Sequence, residues 1–177
     1  MSQIERTMSS QSIYEGRILN LRVDTVEMEG KKYTKREIVE HDPAVCILAL
    51  TDEGKILMVR QFRKPVDQEL FELPAGLVEV DEEPVKAALR ELEEETGYYA
   101  KKCEYIGEFF TSPGFCNEKI YLFLAEDLEK KEQKLDDFEN IAVEEITLDE
   151  ALKQIKFGDI VDAKTIIGLL LYKNLRG

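Results

Sequence analysis

The sequence predicts a mixed α/β or α+β domain, and two observations carry that expectation. Apolar residues recur with strand character from Ile13 to Ile146, either alternating or in short continuous runs. Interleaved with them are two or three segments that carry helix periodicity and helix end signals.

In chain order, residues 1–12 are polar, as a frayed end would be, and residues 13–42 read as an N-terminal β region. Leu19, Leu21 and Val23 alternate with Asn20 and Arg22, the period of a half-buried strand. Glu29-Gly30-Lys31-Lys32 forms a turn into a second strand ending at Val39. Residues 43–177 form the main domain. Ala44–Leu50 is continuously apolar, as a strand buried on both faces would be. Asp52-Glu53-Gly54 then turns into Lys55–Phe62, which predicts a hairpin of these two strands. Pro65 and Pro74 mark an irregular connection around Glu69–Leu73.

Pro84–Thr96 carries the strongest helix signal. Acids at 81–83 favour the helix dipole, Pro84 suits the first turn, and Gly97 suits the C′ position. Val85, Ala88, Leu89 and Leu92 make one face apolar. Strands follow at Cys103–Phe110, Lys119–Ala125 and Ile141–Ile146, with the charged residues 126–139 as a solvated loop. Thr147-Leu148-Asp149-Glu150 is a capping-box pattern opening a short helix. Asp162 caps a last helix with Ile166, Ile167, Leu170 and Leu171.

The 177 residues carry 24 basic against 37 acidic side chains, a net charge of −13. That balance argues against a nucleic-acid partner, which needs a basic stripe. It leaves room for a small anionic substrate if metal ions supply positive charge locally. No apolar run exceeds about seven residues, too short to span a bilayer, so no membrane partner is expected. The first residues lack the basic-then-apolar pattern of a secretory signal. Three cysteines without metal spacing make no disulfide framework, which points to a reducing, cytoplasmic setting.

Chemistry concentrates in the first helix. Glu91, Glu94 and Glu95 share one face, roughly 115° from the centre of the apolar stripe, so they can face a cleft while the stripe packs. Clustered carboxylates repel each other, and a hard divalent cation reverses that sign. Taken alone, the helix reads more readily as a solvated face with Arg90 pairing to Glu94, since acid-rich exposed faces are common. The preceding loop changes the balance. Gly76, Glu82, Arg90, Glu91, Glu94, Glu95 and Gly97 stand at the spacing of the Nudix box, and the segment resembles that signature of nucleoside diphosphate-linked-X hydrolases. Tyr98 departs from it, standing where the box has an aliphatic residue.

The resemblance implies a Nudix α/β/α sandwich with a mixed sheet and an N-terminal antiparallel strand region. It also implies Mg²⁺, or Mn²⁺, as two or more ions held by Glu91, Glu94, Glu95 and the carbonyl of Ala75. Gly76, Glu82, Arg90 and Gly97 would support the box.

Four further stretches resemble the bacterial ADP-ribose pyrophosphatase subfamily: Lys35–His41, Val59–Pro65, Glu72–Gly76 and Thr111–Phe115. Pro113 stands sixteen residues beyond Gly97, a spacing associated with ADP-ribose. The implied activity is hydrolysis of ADP-ribose to AMP and ribose 5-phosphate. The implied substrate contacts are Arg36, Glu37, His41, Arg63, Leu77, Ser112, Pro113, Gly114 and Glu118. The implied general base is Glu139 or Asp137, with Glu94 next. Subfamily members exchange their N-terminal strands in a homodimer, which would put Tyr14, Ile18 and Leu19 at the adenine wall. Three rivals keep parts of this reading: another nucleoside diphosphate sugar or a dinucleotide as substrate, a non-catalytic module binding an ADP-ribose-like ligand, or an acidic metal-binding protein.

Overall fold

A computed structural model describes residues 4–135 and 140–176. They fall into two compact units: the residues up to Pro43 together with Phe110–Lys119, and Ala44–Phe109 together with the residues from Ile120 onward.

The first unit is built on an antiparallel sheet in the order β1 (Arg6–Glu15), β2 (Leu19–Met28), β3 (Lys32–His41). Residues 6–12, expected to fray, belong with residues 13–15 to a full strand, because β2 offers a ladder from Arg6↔Glu27 to Glu15↔Asn20. Every residue of β1 is exposed, so its side chains left no burial pattern for the sequence to display. The turn at Gly30-Lys31 has both residues in the left-handed region. The segment 110–119 lies along β3, where Val39 donates to the Phe115 carbonyl at 2.7 Å and accepts from Asn117 at 3.2 Å.

In the second unit a mixed four-stranded sheet runs β7 (Ala75–Leu77), β4 (Ala44–Ala49), β9 (Lys119–Lys130), β8 (Tyr98–Phe110). A three-stranded sheet runs β10 (Ile141–Ile146), β5 (Ile56–Arg63), β6 (Gln68–Glu72). Strand β4 is central, parallel to β9 and antiparallel to β7, and all six of its residues are buried.

Strand alternation makes β4 the partition between two cores. Ala44, Cys46 and Leu48 join Leu73, Ile120, Leu122, Leu169 and Tyr172 on one side. Val45, Ile47 and Ala49 join Ala87, Ala88, Leu92, Phe123 and Ala125 on the other. Helix α1 (Pro84–Thr96) therefore covers one face, and α2 (Leu148–Phe157) and α3 (Ala163–Leu175) contribute to the other. This is the expected sandwich. Each fully buried Leu or Ile here contributes about 1.5–3 kcal/mol relative to exposure.

Helix ends follow the sequence closely. Gly97 closes α1 at φ +70°, where its N–H donates to the Glu93 carbonyl at 2.9 Å. Thr147 and Glu150 form both bonds of the capping box on α2, and Asp162 accepts from Thr165 N at 3.0 Å on α3.

Three further expectations need correction. The strands flanking Asp52-Glu53-Gly54 are not a hairpin: after a single bridge, Leu50↔Ile56, β4 and β5 enter different sheets. The reason is burial, since β4 has both its edges taken by β7 and β9. The connection around Glu69–Leu73 is largely strand β6, paired to β5 from Arg63↔Gln68 to Val59↔Glu72 after a single 3₁₀ turn at Lys64–Val66. The strand at 119–125 continues to Lys130 and β8 begins at Tyr98, because Lys101 meets Glu129 at 2.7 Å and Lys102 meets Asp127 at 2.9 Å. Among the described residues, no helix is long and apolar enough to cross a membrane.

Candidate functional site

Arg90 organises the acidic helix. Its Nε and Nη2 donate to the two Glu82 oxygens at 3.0 and 2.9 Å. Nη2 also donates to the Leu77 carbonyl at 2.9 Å, and Nη1 donates to Glu91 at 2.7 Å and Glu94 at 3.0 Å. A guanidinium carries five N–H groups, and these five bonds use them all. Hydrogen bonding to Glu82, ahead of that to Glu91 and Glu94, outweighs burial and raises Arg90. The same bond holds the Glu82 carboxyl below its ordinary value. Glu82 also accepts from Glu79 N at 3.0 Å, which closes the loop on itself.

Gly76 has a reason of contact. A Cβ there would fall 2.0 Å from Glu91 Cδ, so no other residue lets β7 pass the Glu91 carboxylate this closely. The next residue back, Ala75, donates its N–H to Glu95 Oε2 at 3.0 Å, and Glu95 is buried. Leu77 is half-buried against the α3-side core. At Gly97 a Cβ would lie 2.9 Å from Gln133 N, in addition to the positive φ.

The box thus gathers Ala75, Gly76, Glu82, Arg90, Glu91, Glu94 and Glu95 around one loop–helix junction. Among the described residues, no three His, Cys, Asp or Glu side chains are drawn to a common metal-binding point. Glu91 and Glu94 converge instead on Arg90 Nη1. The donor set, the three carboxylates of α1 with a glycine that leaves room for Glu91, has the hard oxygen chemistry of a Mg²⁺ or Mn²⁺ site.

Arg63 sits at the end of β5 and is held by Glu72, with Nε–Oε1 and Nη2–Oε2 both 2.8 Å. Glu72 is 1% exposed and also takes a short bond from Lys164 Nζ. Lys164 pairs in turn with Asp162 at 3.1 Å. Burial pushes Glu72 up, but the Arg63 hydrogen bond and the Lys164 charge more than offset it, and its carboxyl sits below the ordinary value. The sequence did not single out Glu72, Asp162 or Lys164 for the site. Glu72 stands inside a stretch noted for its resemblance, whereas Lys164 is 92 residues away and only folding brings it there.

In the N-terminal unit, Arg36, Glu37, Pro113 and Gly114 line one cleft of about 420 Å³ together with Phe110 and Phe115. Glu5, which the sequence did not mark, also lines it and grips Arg36 through two bonds at 3.0 and 2.5 Å. Ser112 shapes the loop, its carbonyl accepting from Phe115 N at 3.1 Å and Cys116 N at 2.9 Å. His41 and Glu118 lie together, Nδ1 to Oε1 at 3.5 Å, next to a separate polar hollow. Tyr14 and Ile18 are exposed. Asp137 and Glu139 lie outside the described residues.

The model of the NUDIX domain matches residues 40–166, and that of the nucleoside diphosphate sugar hydrolase N-terminal domain matches residues 5–39. An ADP-ribose pyrophosphatase of Bacillus subtilis is 51% identical over 163 residues, covering 91% of this chain and 88% of that one. A methanol dehydrogenase activator of Bacillus methanolicus is 47% identical, covering 93% and 90%. An ADP-ribose pyrophosphatase of Mycobacterium tuberculosis is 36% identical, covering 93% and 81%. A crystal structure of an ADP compounds hydrolase superimposes with a TM-score of 0.87 at 18% identity, covering 97% of this chain and 93% of that one, a likeness of fold.

The Glu72 cluster has a consequence for acid stability. A carboxyl depressed on folding contributes stability that is fully present above its unfolded value, about 4.3 for Glu, and is lost as pH falls through the folded value. Glu72→Gln should therefore be less stable at pH 7 and lose less stability on acidification below about pH 4.3. Urea unfolding across a pH series measures this, and parallel acid limbs for parent and variant would contradict it.

Proposed function

The chain belongs to the Nudix family, and from that premise we propose that it hydrolyses the diphosphate of ADP-ribose to AMP and ribose 5-phosphate. The observation that carries this reading is likeness along nearly the whole chain to two ADP-ribose pyrophosphatases, one of them more than half identical. Nudix hydrolases are typically dependent on divalent metal. Glu91, Glu94, Glu95 and the Ala75 carbonyl are the groups that would hold Mg²⁺ or Mn²⁺. A divalent cation bound there supplies a Lewis acid for the phosphoryl oxygens and makes water a better nucleophile at neutral pH.

The remaining roles fall to the chain itself. Arg63 offers a guanidinium edge to the diphosphate, since Nη1 makes no bond among the described residues. Arg36, Glu37 and Pro113 line a cleft of a size for the adenosine end, where Glu37 can accept the adenine amino hydrogen. Ser112, Gly114, His41, Glu118 and Leu77 complete the substrate contacts in this reading. The general base is Glu139 or Asp137, with Glu94 next.

Nucleoside monophosphate release from a panel of ADP-ribose, GDP-mannose and NADH with Mg²⁺ tests the assignment, read as AMP for ADP-ribose and NADH and as GMP for GDP-mannose. GDP-mannose belongs in it because a GDP-mannose pyrophosphatase of Cronobacter sakazakii is 35% identical. Preferred turnover of another member would replace ADP-ribose as substrate, and no turnover of any would favour a binding module.

For the acids, Glu95→Gln should lower kcat by orders of magnitude while the fold survives. Of Asp137→Asn and Glu139→Gln, one should lose at least about tenfold in kcat with KM little changed. Full activity in Glu95→Gln would remove it from the metal set, and full activity in both loop variants would move the base to Glu94. At the remote end, Arg36→Ala and Glu37→Ala should raise KM more than they lower kcat, as uniform binding energy requires. Loss of kcat at unchanged KM would refute the adenosine assignment.

The N-terminal β region, read as residues 13–42, also supports a homodimer. Ile13, Tyr14 and Ile18 are exposed apolar side chains there, and Met8 continues the set along β1. Light scattering should give twice the 20.4 kDa chain mass, and a monomer at assay concentration would contradict the dimer.

A further inference from the structure

Outside the metal box, the described residues of the second unit include a largely buried group of charges that packing alone does not require. Arg63, Glu72, Lys164 and Asp162 form a chain of ion pairs, two cations and two anions, in which Glu72 is 1% and the Lys164 side chain 13% exposed. Such a quartet costs desolvation that apolar residues would not, so burial by itself does not account for it. Its outer member is Arg63, 36% exposed, with Nε and Nη2 on Glu72 and Nη1 unengaged among the described residues.

The electrostatics of that arrangement assign each member a task. An Arg63–Glu72 pair alone is neutral and would attract a dianion weakly. Lys164 places a second positive charge on the same Glu72 oxygen that Arg63 Nη2 contacts. That shared oxygen divides its negative charge between two cations, while Asp162, which balances the set, pairs with Lys164 rather than with Arg63. Lys164 is itself held in place from the α3 side. Asp162 caps that helix through Thr165 N at 3.0 Å and pairs with Lys164 at 3.1 Å. Thr165 Oγ1 donates to Asp162 at 2.6 Å and accepts from Leu73 N at 2.9 Å. The first turn of α3 is thus tied at two consecutive residues, Glu72 and Leu73, to the strand end that leads into Ala75.

We propose that Lys164 is a positioning residue for the substrate diphosphate, acting through Glu72 to orient Arg63 and keep its charge available. This rests on the ADP-ribose reading and adds to it a residue from the far end of the chain. The residue touches Glu72 and Asp162, and its effect on substrate passes through Arg63.

Binding measured by calorimetry in EDTA, without metal or turnover, isolates the effect. Lys164→Met should bind ADP-ribose at least about tenfold more weakly and bind adenosine as the parent does. Lys164→Arg should restore most of the ADP-ribose affinity. In the background of Arg63→Ala, Lys164→Met should cost little more, since the two act in series. If Lys164→Met does not fold, Lys164→Gln keeps a donor for Glu72, removes the charge, and must show the same selective loss. Unchanged ADP-ribose affinity, equal loss of both ligands, or full additivity with Arg63→Ala would each overturn the proposal. A parent protein that binds adenosine but not ADP-ribose would overturn the ADP-ribose reading, and this inference with it.

Discussion

The Arg90 guanidinium is the interaction on which the functional end of this protein depends. Three carboxylates within two turns of α1 would repel one another, at a few tenths of a kcal/mol for each i,i+4 pair. Arg90 takes two of them on one nitrogen and spends its other three donors on Glu82 and the Leu77 carbonyl. One side chain therefore relieves the repulsion between Glu91 and Glu94 and fastens the preceding loop to the helix. Lysine could not replace it, because three donors on a point charge cannot reach two loop groups and two helix acids together. The glycine at 76 follows from the same contact, since a loop drawn against Glu91 leaves no space for a Cβ.

Strand β4 decides where that junction stands. Its alternate residues feed two cores, one under α1 and one under α3, so both helices address the same strand from opposite faces. The link from β6 to β7 passes between these layers. On it, Glu72 and Leu73 bond to the start of α3, and Ala75 and Leu77 bond to side chains of α1. A segment six residues long is thereby held from both sides. The box arginine and the Arg63–Glu72–Lys164 chain are two halves of one clamp on it.

The elements that the sequence misassigned share a physical cause. Strand β1 has no buried face, so period-two alternation had nothing to mark. Strand β6 and the outer half of β9 are also exposed or charged over much of their length, and neighbouring strands hold them through ladder bonds and cross-strand ion pairs. The β4–β5 hairpin failed for a related reason. A turn signal specifies that the chain reverses, and competition for the edges of a buried strand decides which strands then pair.

What the sequence by itself determined were the features encoded within a turn or two of chain. The bounds of α1, the capping box of α2, the Asp162 cap, the full burial of β4 and the spacing of the box residues all belong here. Each depends on periodicity or on a side chain bonding three or four residues away, and local sequence records both. The tertiary structure decided the partners. Glu5 on Arg36, Lys164 on Glu72, Gln133 on the Glu95 carbonyl and Asn117 on His41 join residues 31, 92, 38 and 76 positions apart. No local pattern encodes such pairs, because a charged side chain reads alike in sequence whether it meets water or a buried counter-charge. Only the folding of each unit brings such partners within reach, Lys164 to Glu72 in the unit built on β4 and Glu5 to Arg36 in the N-terminal unit.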